Sequence, residues 1–269
     1  MSPRPSKWTT NDQRPAIKRS SQTIPLISWI VSTIIVFSYS ATAAQEEWVV
    51  GRFSAATPGN RLPSEWEPLT FKKIKKHTLY SLVSDSGQTV VKADCDGSSS
   101  GLIRHVRIDP EKYPIIEWRW KINSVFKKGD VTQEAGDDYP ARLYITFEFD
   151  SKIAGLMERA KHKALKLVFG RAPPAEAINY IWASRAPDGT VVPSPYTSQS
   201  MMVVVQSGKA DLNQWVTETR DIFADYMAAF GKKPPMISGI AIMTDGNDTG
   251  ESAVAYYGDI VMKSKVQKP

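Results

Sequence analysis

Residues 115–122, Ile-Ile-Glu-Trp-Arg-Trp-Lys-Ile, form the stretch that decides the fold class. Apolar and polar side chains alternate through it, with both tryptophans on one face and the charged residues on the other. Successive side chains of a β-strand point to opposite faces, so this alternation predicts a strand with one face in a core and one face in water. Residues 142–149 repeat the pattern and predict a second such strand.

The rest of the chain after residue 45 reads as further short strands separated by turns. Asp85-Ser86-Gly87 lies between two strand-like runs and is typical of a hairpin. Two stretches have helical periodicity: one from Ser151 to Val168, and one from Asn213 to Phe230. Many short strands with two helices predict a mainly β protein, an antiparallel β-sandwich of jelly-roll or galactose-binding-like type with the two helices packed on it.

The N-terminal region has the order of parts found in secretory signals. Basic residues precede an apolar run from Ile24 to Phe37, and small residues follow at 41–43. We therefore predict a disordered basic n-region over residues 1–23, a signal peptide over residues 24–44 and a single β-sandwich domain over residues 45–269. This organisation places the domain in the periplasm. An uncleaved signal, which would anchor the domain at the inner membrane, is the alternative.

Charge and cysteine content restrict the partners of the predicted domain. The chain has a formal net charge of +6, but residues 1–24 hold five basic residues and one acidic residue, so the rest is nearly balanced. A balanced domain argues against nucleic acid as a partner, because phosphate binding needs a dense basic patch. Membrane contact is predicted only through the signal segment. Cys95 is the single cysteine, which excludes an internal disulfide.

The densest group of carboxylates lies in residues 245–251, Asp-Gly-Asn-Asp-Thr-Gly-Glu. Calcium takes six to eight oxygen ligands, which an acidic loop containing glycine can supply. We predict Asp245, Asp248 and Asp259 as candidate ligands of a bound calcium ion. A solvated hairpin loop of turn-forming residues is the alternative interpretation.

A second polar loop, residues 136–140, carries paired aspartates directly before a predicted strand. Sugar sites combine aromatic rings, which stack on the apolar faces of the sugar, with carboxylates and amides that bind its hydroxyls. The loop and nearby tyrosines contain both kinds of group. The candidate ligand-binding residues are Asp137, Asp138, Tyr139, Arg142, Tyr144 and Tyr196. For Trp182, a place in the core is the favoured interpretation.

No motif assigns a catalytic residue. The chain has neither a nucleophile elbow nor a phosphate-binding loop, and its three histidines lack metal-ligand spacing. Glu117 and Glu148 lie on predicted wet strand faces and could form a glycosidase pair, but neighbouring cations favour cross-strand ion pairs. A carbohydrate hydrolase that uses two carboxylates, and a structural or assembly partner in the envelope, remain alternatives to a non-catalytic binding protein.

Several short segments identify a family when they are taken together. They are Leu62-Pro63, Trp66-Glu67-Pro68-Leu69, Trp118-Arg119-Trp120-Lys121, residues 136–142, Asn179-Tyr180-Ile181-Trp182, Tyr226 with Ala229-Phe230-Gly231, residues 241–245 and residues 254–260. Over roughly residues 48–262 the chain resembles a bacterial family known as domain of unknown function 3047. That resemblance implies an exported protein and no particular reaction.

The end of the last predicted strand shows a second, looser resemblance to a known group of proteins. Tyr257-Gly258-Asp259-Ile260, after an acidic loop, is similar to the end of jelly-roll carbohydrate-binding modules, although Gly258 departs from their pattern. Such modules often hold a structural calcium near this strand. With the polar loops, this favours a periplasmic protein that binds a glycan or an envelope polymer.

Overall fold

The computed structural model describes residues 45–149, 155, 156, 159 and 175–265. The chain divides into two compact units, Met1–Thr42 and Ala43–Pro269, and every described residue belongs to the second. The predicted n-region and signal peptide, residues 1–44, therefore lie wholly outside the described residues. Nearly all of the helix predicted over 151–168 lies outside them as well. Among the described residues, no helix is long and apolar enough to cross a membrane.

The elements of the described residues are mainly strands. They are β1 (Glu47–Gly51), β2 (Glu67–Leu69), β3 (Leu79–Asp85), β4 (Gln88–Asp96), β5 (Ser99–Ile108), β6 (Ile115–Ile122), β7 (Arg142–Phe147), β8 (Ala177–Ala183), β9 (Val191–Ser194), β10 (Thr197–Ser207), β11 (Val216–Asp221), the helix α1 (Ile222–Phe230), β12 (Ile237–Asp245) and β13 (Ser252–Lys263). The mainly β prediction is confirmed. The hairpin at Asp85-Ser86-Gly87 is also confirmed, with the positive φ angles of Ser86 and Gly87 making the turn.

The strands form two sheets. The first sheet has the order β11-β6-β13-β4-β3, and β1 pairs with β13 in addition; the second has the order β2-β5-β12-β7-β8-β10-β9. The strand pairs are antiparallel, as predicted, with one exception among the described residues: β10 pairs with β8 in parallel. The chain leaves β8, forms β9 two places away, and returns as β10 between them. β9 runs opposite to β8, and β10 is antiparallel to β9, so β10 runs in the same direction as β8.

The core lies between the two sheets and is built from stacked aromatic rings. Trp118 of the first sheet stacks on Tyr180 of the second with 5.2 Å between ring centroids, and Trp120 meets Trp182 at 6.0 Å. All four side chains are buried, as are Ile116 and Ile122. The inward face predicted for residues 115–122 is thus confirmed, and so is the core position of Trp182.

The outer face of the second sheet is more buried than predicted. Leu143, Ile145 and Phe147 of β7 point into the core as predicted, but Arg142 on the opposite face is buried as well. The loop between β6 and β7 causes this burial, because Val131 and Tyr139 pack on the outer face of β8 and β10 in a second, smaller apolar cluster. This covered part of the face is where the candidate site lies.

The second predicted helix is shorter than expected. Residues 216–221 form the edge strand β11, paired with β6, and α1 begins only at Ile222. Three of the four residues 216–219 are β-branched, which favours the strand over the helix. Asp221 then caps the helix by accepting from the N–H of Ala224 at 3.0 Å, and Gly231 ends it in the left-handed conformation.

We expect Trp120→Ala to lower the free energy of unfolding by about 3–5 kcal/mol, because a buried aromatic ring is deleted from the contact between the sheets. Glu117→Ala, three residues earlier on the opposite, wet face of the same strand, is the control. It should lower the free energy of unfolding by less than about 1 kcal/mol. Urea unfolding of both variants measures the difference. Equal losses would mean that the wet face of β6 is as important to the fold as the core face.

Candidate functional site

Arg142 is the centre of the buried polar group on the outer face of the second sheet. Its register partner on β12 is Met243, so Asp245 lies two residues further on the same face. Arg142 donates from Nε and Nη2 to the two carboxylate oxygens of Asp245, at 2.8 and 2.6 Å. It also donates to the carbonyl oxygen of Asp137 and, at 2.9 Å, to the hydroxyl of Tyr144. The ring of Tyr139 lies 4.3 Å from its guanidinium carbon.

We call Arg142, Asp137, Asp138, Tyr139, Tyr144 and Asp245 the Arg142 cluster. Two loops meet at this cluster, residues 136–140 and residues 245–251. The carboxylate of Asp138 accepts from the N–H of Thr249 at 2.5 Å, and the N–H of Asp245 donates to the carbonyl of Tyr139 at 3.3 Å. The bend of the first loop requires Gly136, since a Cβ there would lie 2.7 Å from the backbone nitrogen of Asp130. The loops are therefore held in a defined geometry.

Tyr196 forms the exposed rim of the cluster. It lies in the turn between β9 and β10, and 55% of its surface is exposed. Its hydroxyl donates to Asp248 Oδ2 at 3.0 Å and lies 3.3 Å from the carbonyl oxygen of Glu134. These two contacts fix the ring beside both loops while most of it faces solvent.

Three buried oxygen atoms of this region have no hydrogen-bond partner. They are Oδ1 of Asp137, Oδ1 of Asp138 and Oδ1 of Asn179; of these, Oδ1 of Asp137 forms an ion pair with Nη2 of Arg142 at 3.6 Å, beyond hydrogen-bond distance. Asn179 faces outward on β8 as the register partner of Tyr144. A buried acceptor without a donor costs roughly 1–3 kcal/mol, so each of them calls for an explanation. Asn179 was missed as a site residue; the signal was a polar side chain within the otherwise apolar or aromatic run 177–183.

The electrostatics of the cluster are dominated by burial and an excess of carboxylates. Burial raises the pKa of Asp137 and of Asp245, and the guanidinium of Arg142 opposes both shifts. Burial also raises the pKa of Asp248, with a further contribution from Asp138. For Arg142, burial alone would lower the pKa, but the carboxylate of Asp245 raises it well above its usual value. The cluster and its rim thus contain four carboxyl groups and one guanidinium, which contacts two of them, an arrangement suited to a ligand that donates hydrogen bonds.

A pocket of about 300 Å³ adjoins the cluster at Tyr139. Its polar lining comes from Asp130, Thr132, Ser184 and Arg185. Ser184 Oγ is buried without a hydrogen-bond partner, while Arg185 donates to the carbonyl oxygen of Gly129 at 3.1 Å. We call this cavity the Tyr139 pocket.

Eight of the nine candidate site residues predicted from the sequence come together here. Tyr196 and Asp248 lie at the rim, and the other six are the members of the Arg142 cluster. Tyr139 is buried with its ring against Arg142, so the prediction that it stacks on a ligand is wrong for the geometry described. Tyr144 is half-buried, and Tyr196 alone of the three predicted tyrosines exposes most of its ring.

Asp259 lies apart from the other eight, on β13 of the first sheet. Its carboxylate accepts from the N–H of Ser54 at 2.8 Å and from the hydroxyl of Ser54 at 2.5 Å. The structure also explains Gly258, the departure from the carbohydrate-module pattern. The side chain of Arg119 crosses this residue so closely that a Cβ would lie 2.5 Å from its Cγ.

The three predicted calcium ligands do not fit one calcium ion. Both oxygens of Asp245 bind Arg142, Asp248 accepts from Tyr196, and Asp259 is on the other sheet. Within the described part of the chain, no three acidic, histidine or cysteine side chains are grouped so as to hold a metal. Glu117 and Glu148 also lie on different sheets, and each forms an ion pair at 2.9 Å, with Lys263 and Arg107 respectively. Ion pairing was the favoured interpretation for both.

A comparison with protein families identifies the relatives of the chain. The family described as Protein of unknown function (DUF3047) matches residues 64–261. The chain belongs to this family. The resemblance drawn from the short segments is therefore confirmed, and the family description assigns no activity. A search of curated proteins found no match to the sequence.

Solved structures with some similarity to this DUF3047 protein include carbohydrate-binding modules. A family 29 module has a TM-score of 0.33 and 8% identity, over 82% of this chain and 89% of that one. A family 30 module of a cellulosomal cellulase of Clostridium thermocellum has a TM-score of 0.36 and 10% identity, over 81% and 98%. The enzymatically active domain of a bacteriophage CBA120 tailspike protein has a TM-score of 0.36 and 9% identity, over 74% and 19%. Scores and identities this low transfer no function, which must come from the residues themselves.

We expect Arg142→Ala to lower the free energy of unfolding by about 3–5 kcal/mol, because it leaves the buried carboxylate of Asp245 without its cation. Arg107→Ala breaks the exposed pair with Glu148 and should cost less than about 1 kcal/mol. Urea unfolding compares the two. The double variant Arg142→Met with Asp245→Leu should recover most of the lost free energy of unfolding, because it leaves no unpaired buried charge. A cost for Arg142→Ala no larger than that for Arg107→Ala would contradict the central place of Arg142.

Proposed function

We propose that this DUF3047 protein is exported and binds a glycan or another hydroxyl-rich polymer of the cell envelope, without catalysing a reaction on it. One observation carries the proposal: buried oxygens of Asp138 and Asn179 have no hydrogen-bond partner, and that of Asp137 has only an ion pair, beside a rim formed by an exposed tyrosine, Tyr196. Each part of that arrangement matches a property of a sugar.

The unpartnered oxygens specify hydrogen-bond donors on the ligand. Carboxylate and amide oxygens only accept, and sugar hydroxyls donate as well as accept. Hydroxyls that reach Asp137, Asp138 and Asn179 would supply the missing bonds, and bonds to an ionised carboxylate are the stronger kind. An anionic ligand is disfavoured, because the cluster and its rim hold four carboxyl groups, two of which contact the guanidinium of Arg142.

Tyr196 supplies the apolar part of a sugar site. An exposed aromatic ring can stack on the C–H face of a pyranose while its hydroxyl remains bonded to protein. Its bond to Asp248 holds the ring in place before binding, which reduces the entropy lost on association. The Tyr139 pocket, about 300 Å³, is at the lower end of the usual size of small-ligand sites, which suits one sugar ring.

We expect the protein, as isolated from cells, to bind peptidoglycan or an envelope polysaccharide in a pull-down and titration screen. Tyr196→Ala should weaken the binding roughly tenfold or more, as for an aromatic residue at the centre of contact. Asp138→Asn should also weaken it, while its remaining oxygen can still accept from Thr249. Trp215→Ala, on the first sheet, is the matched control and should have no effect.

Two outcomes of this screen would contradict the proposal. Full binding by Tyr196→Ala and Asp138→Asn together with loss in Trp215→Ala would place the site on the first sheet. Absence of binding to every envelope polymer would remove the function. The described residues give the calcium prediction no supporting geometry, and a chelator added to the same titrations tests it, since an essential ion would abolish binding when removed.

A carbohydrate hydrolase is the second candidate. The observation in its favour is that burial raises the pKa of Asp137, which lies next to Asp138, and a raised pKa is the property of a carboxyl group that acts as a general acid. A hydrolase would release soluble fragments from the polymer that it binds, and Asp137→Asn would stop the release. Our proposal expects no fragments from the wild-type protein.

The proposed export is tested separately, through the N-terminus of the protein isolated from cells. We expect cleavage near Ala43 or Ala44, because small residues follow the short apolar run, and accumulation of the protein in the periplasm. Mass spectrometry of the isolated protein reads its N-terminus. A native Met1 on membrane-bound protein would show an uncleaved anchor instead.

A further inference from the structure

A basic loop connects β2 to β3 and stands out from the nearly balanced domain. Residues 71–79, Phe-Lys-Lys-Ile-Lys-Lys-His-Thr-Leu, hold four lysines and no acidic residue. All four lysines are exposed. Since the chain after residue 24 carries a net charge of only about +2, the remainder of it without this loop is net negative.

Large apolar side chains flank the lysines at the surface. Phe71 is 41% exposed and Leu79 is 72% exposed. An exposed phenylalanine or leucine alone has little meaning. Two of them at the ends of a lysine-rich segment give that segment both charged and apolar exposed side chains, which is the composition of membrane-surface segments.

Hydrogen bonds hold the basic loop in a defined shape. The N–H of Ile74 donates to the carbonyl of Phe71 at 2.9 Å, and the N–H of Ser99 donates to the carbonyl of Lys76 at 3.0 Å. Thr78 donates from Oγ1 to the carbonyl of Thr244 at 2.8 Å. Thr244 directly precedes Asp245, so the loop lies at the same end of the second sheet as the Arg142 cluster.

Part of the charge on this loop has no acidic partner among the described residues. Lys76 pairs with Asp96 at 2.7 Å, and both side chains remain largely in water. Lys73 and Lys75 have no acidic partner among the described residues. An exposed pair of this kind is worth little, so the positive potential of the loop remains available to an external anion.

We propose that the basic loop docks the protein on an anionic lipid surface. The lysines contact the headgroups, and Phe71 and Leu79 enter the boundary between headgroups and acyl chains. A soluble polyanion would use the lysines but would give the two apolar side chains no favourable environment, which is why a membrane fits better. Docking through this loop would hold the Arg142 cluster close to the lipid surface, a placement that does not depend on what the cluster binds.

A fluorophore beside the loop tests this in the full chain. Thr70→Cys provides an exposed attachment point for an environment-sensitive dye, and the buried thiol of Cys95 is protected from labelling. With vesicles of equal parts phosphatidylglycerol and phosphatidylcholine, we expect a blue shift of the dye emission and quenching by brominated lipid. Pure phosphatidylcholine should give neither, and high salt should reduce both. Because the dye reports its own surroundings, insertion of the N-terminal segment elsewhere gives no signal.

Paired variants separate the contribution of the lysine charges to vesicle binding from that of the inserted apolar side chains. Replacing Lys72, Lys73, Lys75 and Lys76 with glutamine should weaken vesicle binding by roughly tenfold or more. The control loses the same amount of charge elsewhere on the surface, by glutamine replacement of the exposed Lys112, Lys209, Lys232 and Lys233. This control should weaken vesicle binding far less. Phe71→Ser with Leu79→Ser should abolish the blue shift while the salt dependence remains. Unchanged melting temperatures establish that each variant is folded.

Three results would overturn the proposal. The first is absence of a blue shift on anionic vesicles at low salt. The second is equal loss of binding in the loop variant and in the control variant. The third is binding unaffected by Phe71→Ser with Leu79→Ser but displaced by soluble polyphosphate, which would assign the loop to a polyanion instead of a membrane.

Discussion

The ion pair between Arg142 and Asp245 is the constraint on which the outer face of the second sheet depends. A guanidinium inside a protein must keep its charge and must therefore be paired and hydrogen-bonded. Here it spans the ends of two neighbouring strands and also binds the carbonyl of Asp137 and the hydroxyl of Tyr144. The loop that carries Asp137 is thereby drawn over a face that would otherwise be open to water.

The aromatic core allows this polar site without loss of the fold. Trp118 on Tyr180 and Trp120 on Trp182 hold the two sheets together on their inner faces. The outer face can then carry groups that lower stability, such as the unpartnered oxygens of Asp137 and Asp138 and carboxyl groups whose pKa burial raises. Local violations of good hydrogen bonding in an otherwise consistent structure are typical of functional sites.

Local patterns in the sequence predicted much of this structure. The alternation in residues 115–122 gave the correct core face, and Asp85-Ser86-Gly87 gave the hairpin, because neighbouring residues determine both features. The acidic loops and their tyrosines were chosen by chemistry, and the structure brings eight of nine such residues together.

Features that depend on distant parts of the chain were not predictable in the same way. The burial of Arg142 requires a loop to fold over the sheet, and the parallel pairing of β10 with β8 depends on the position of β9. The strand β11 replaced a predicted helical turn because β6 offers it an edge to pair with. Asp259 resembled the other aspartates in sequence, but it lies on the opposite sheet, bound to Ser54.

Polar aromatic surfaces occur on both sheets, and the central claim is that ligands use the one on the second sheet. On the first sheet, Trp215 donates to Asp85 at 2.7 Å beneath the guanidinium of Arg119. The most direct measurement is an NMR titration that follows the side-chain N–H signals of Arg142 and Trp215 while envelope glycan fragments are added. Our account predicts that the Arg142 signals shift with ligand and the Trp215 indole signal stays unchanged. A shift confined to Trp215 would contradict it.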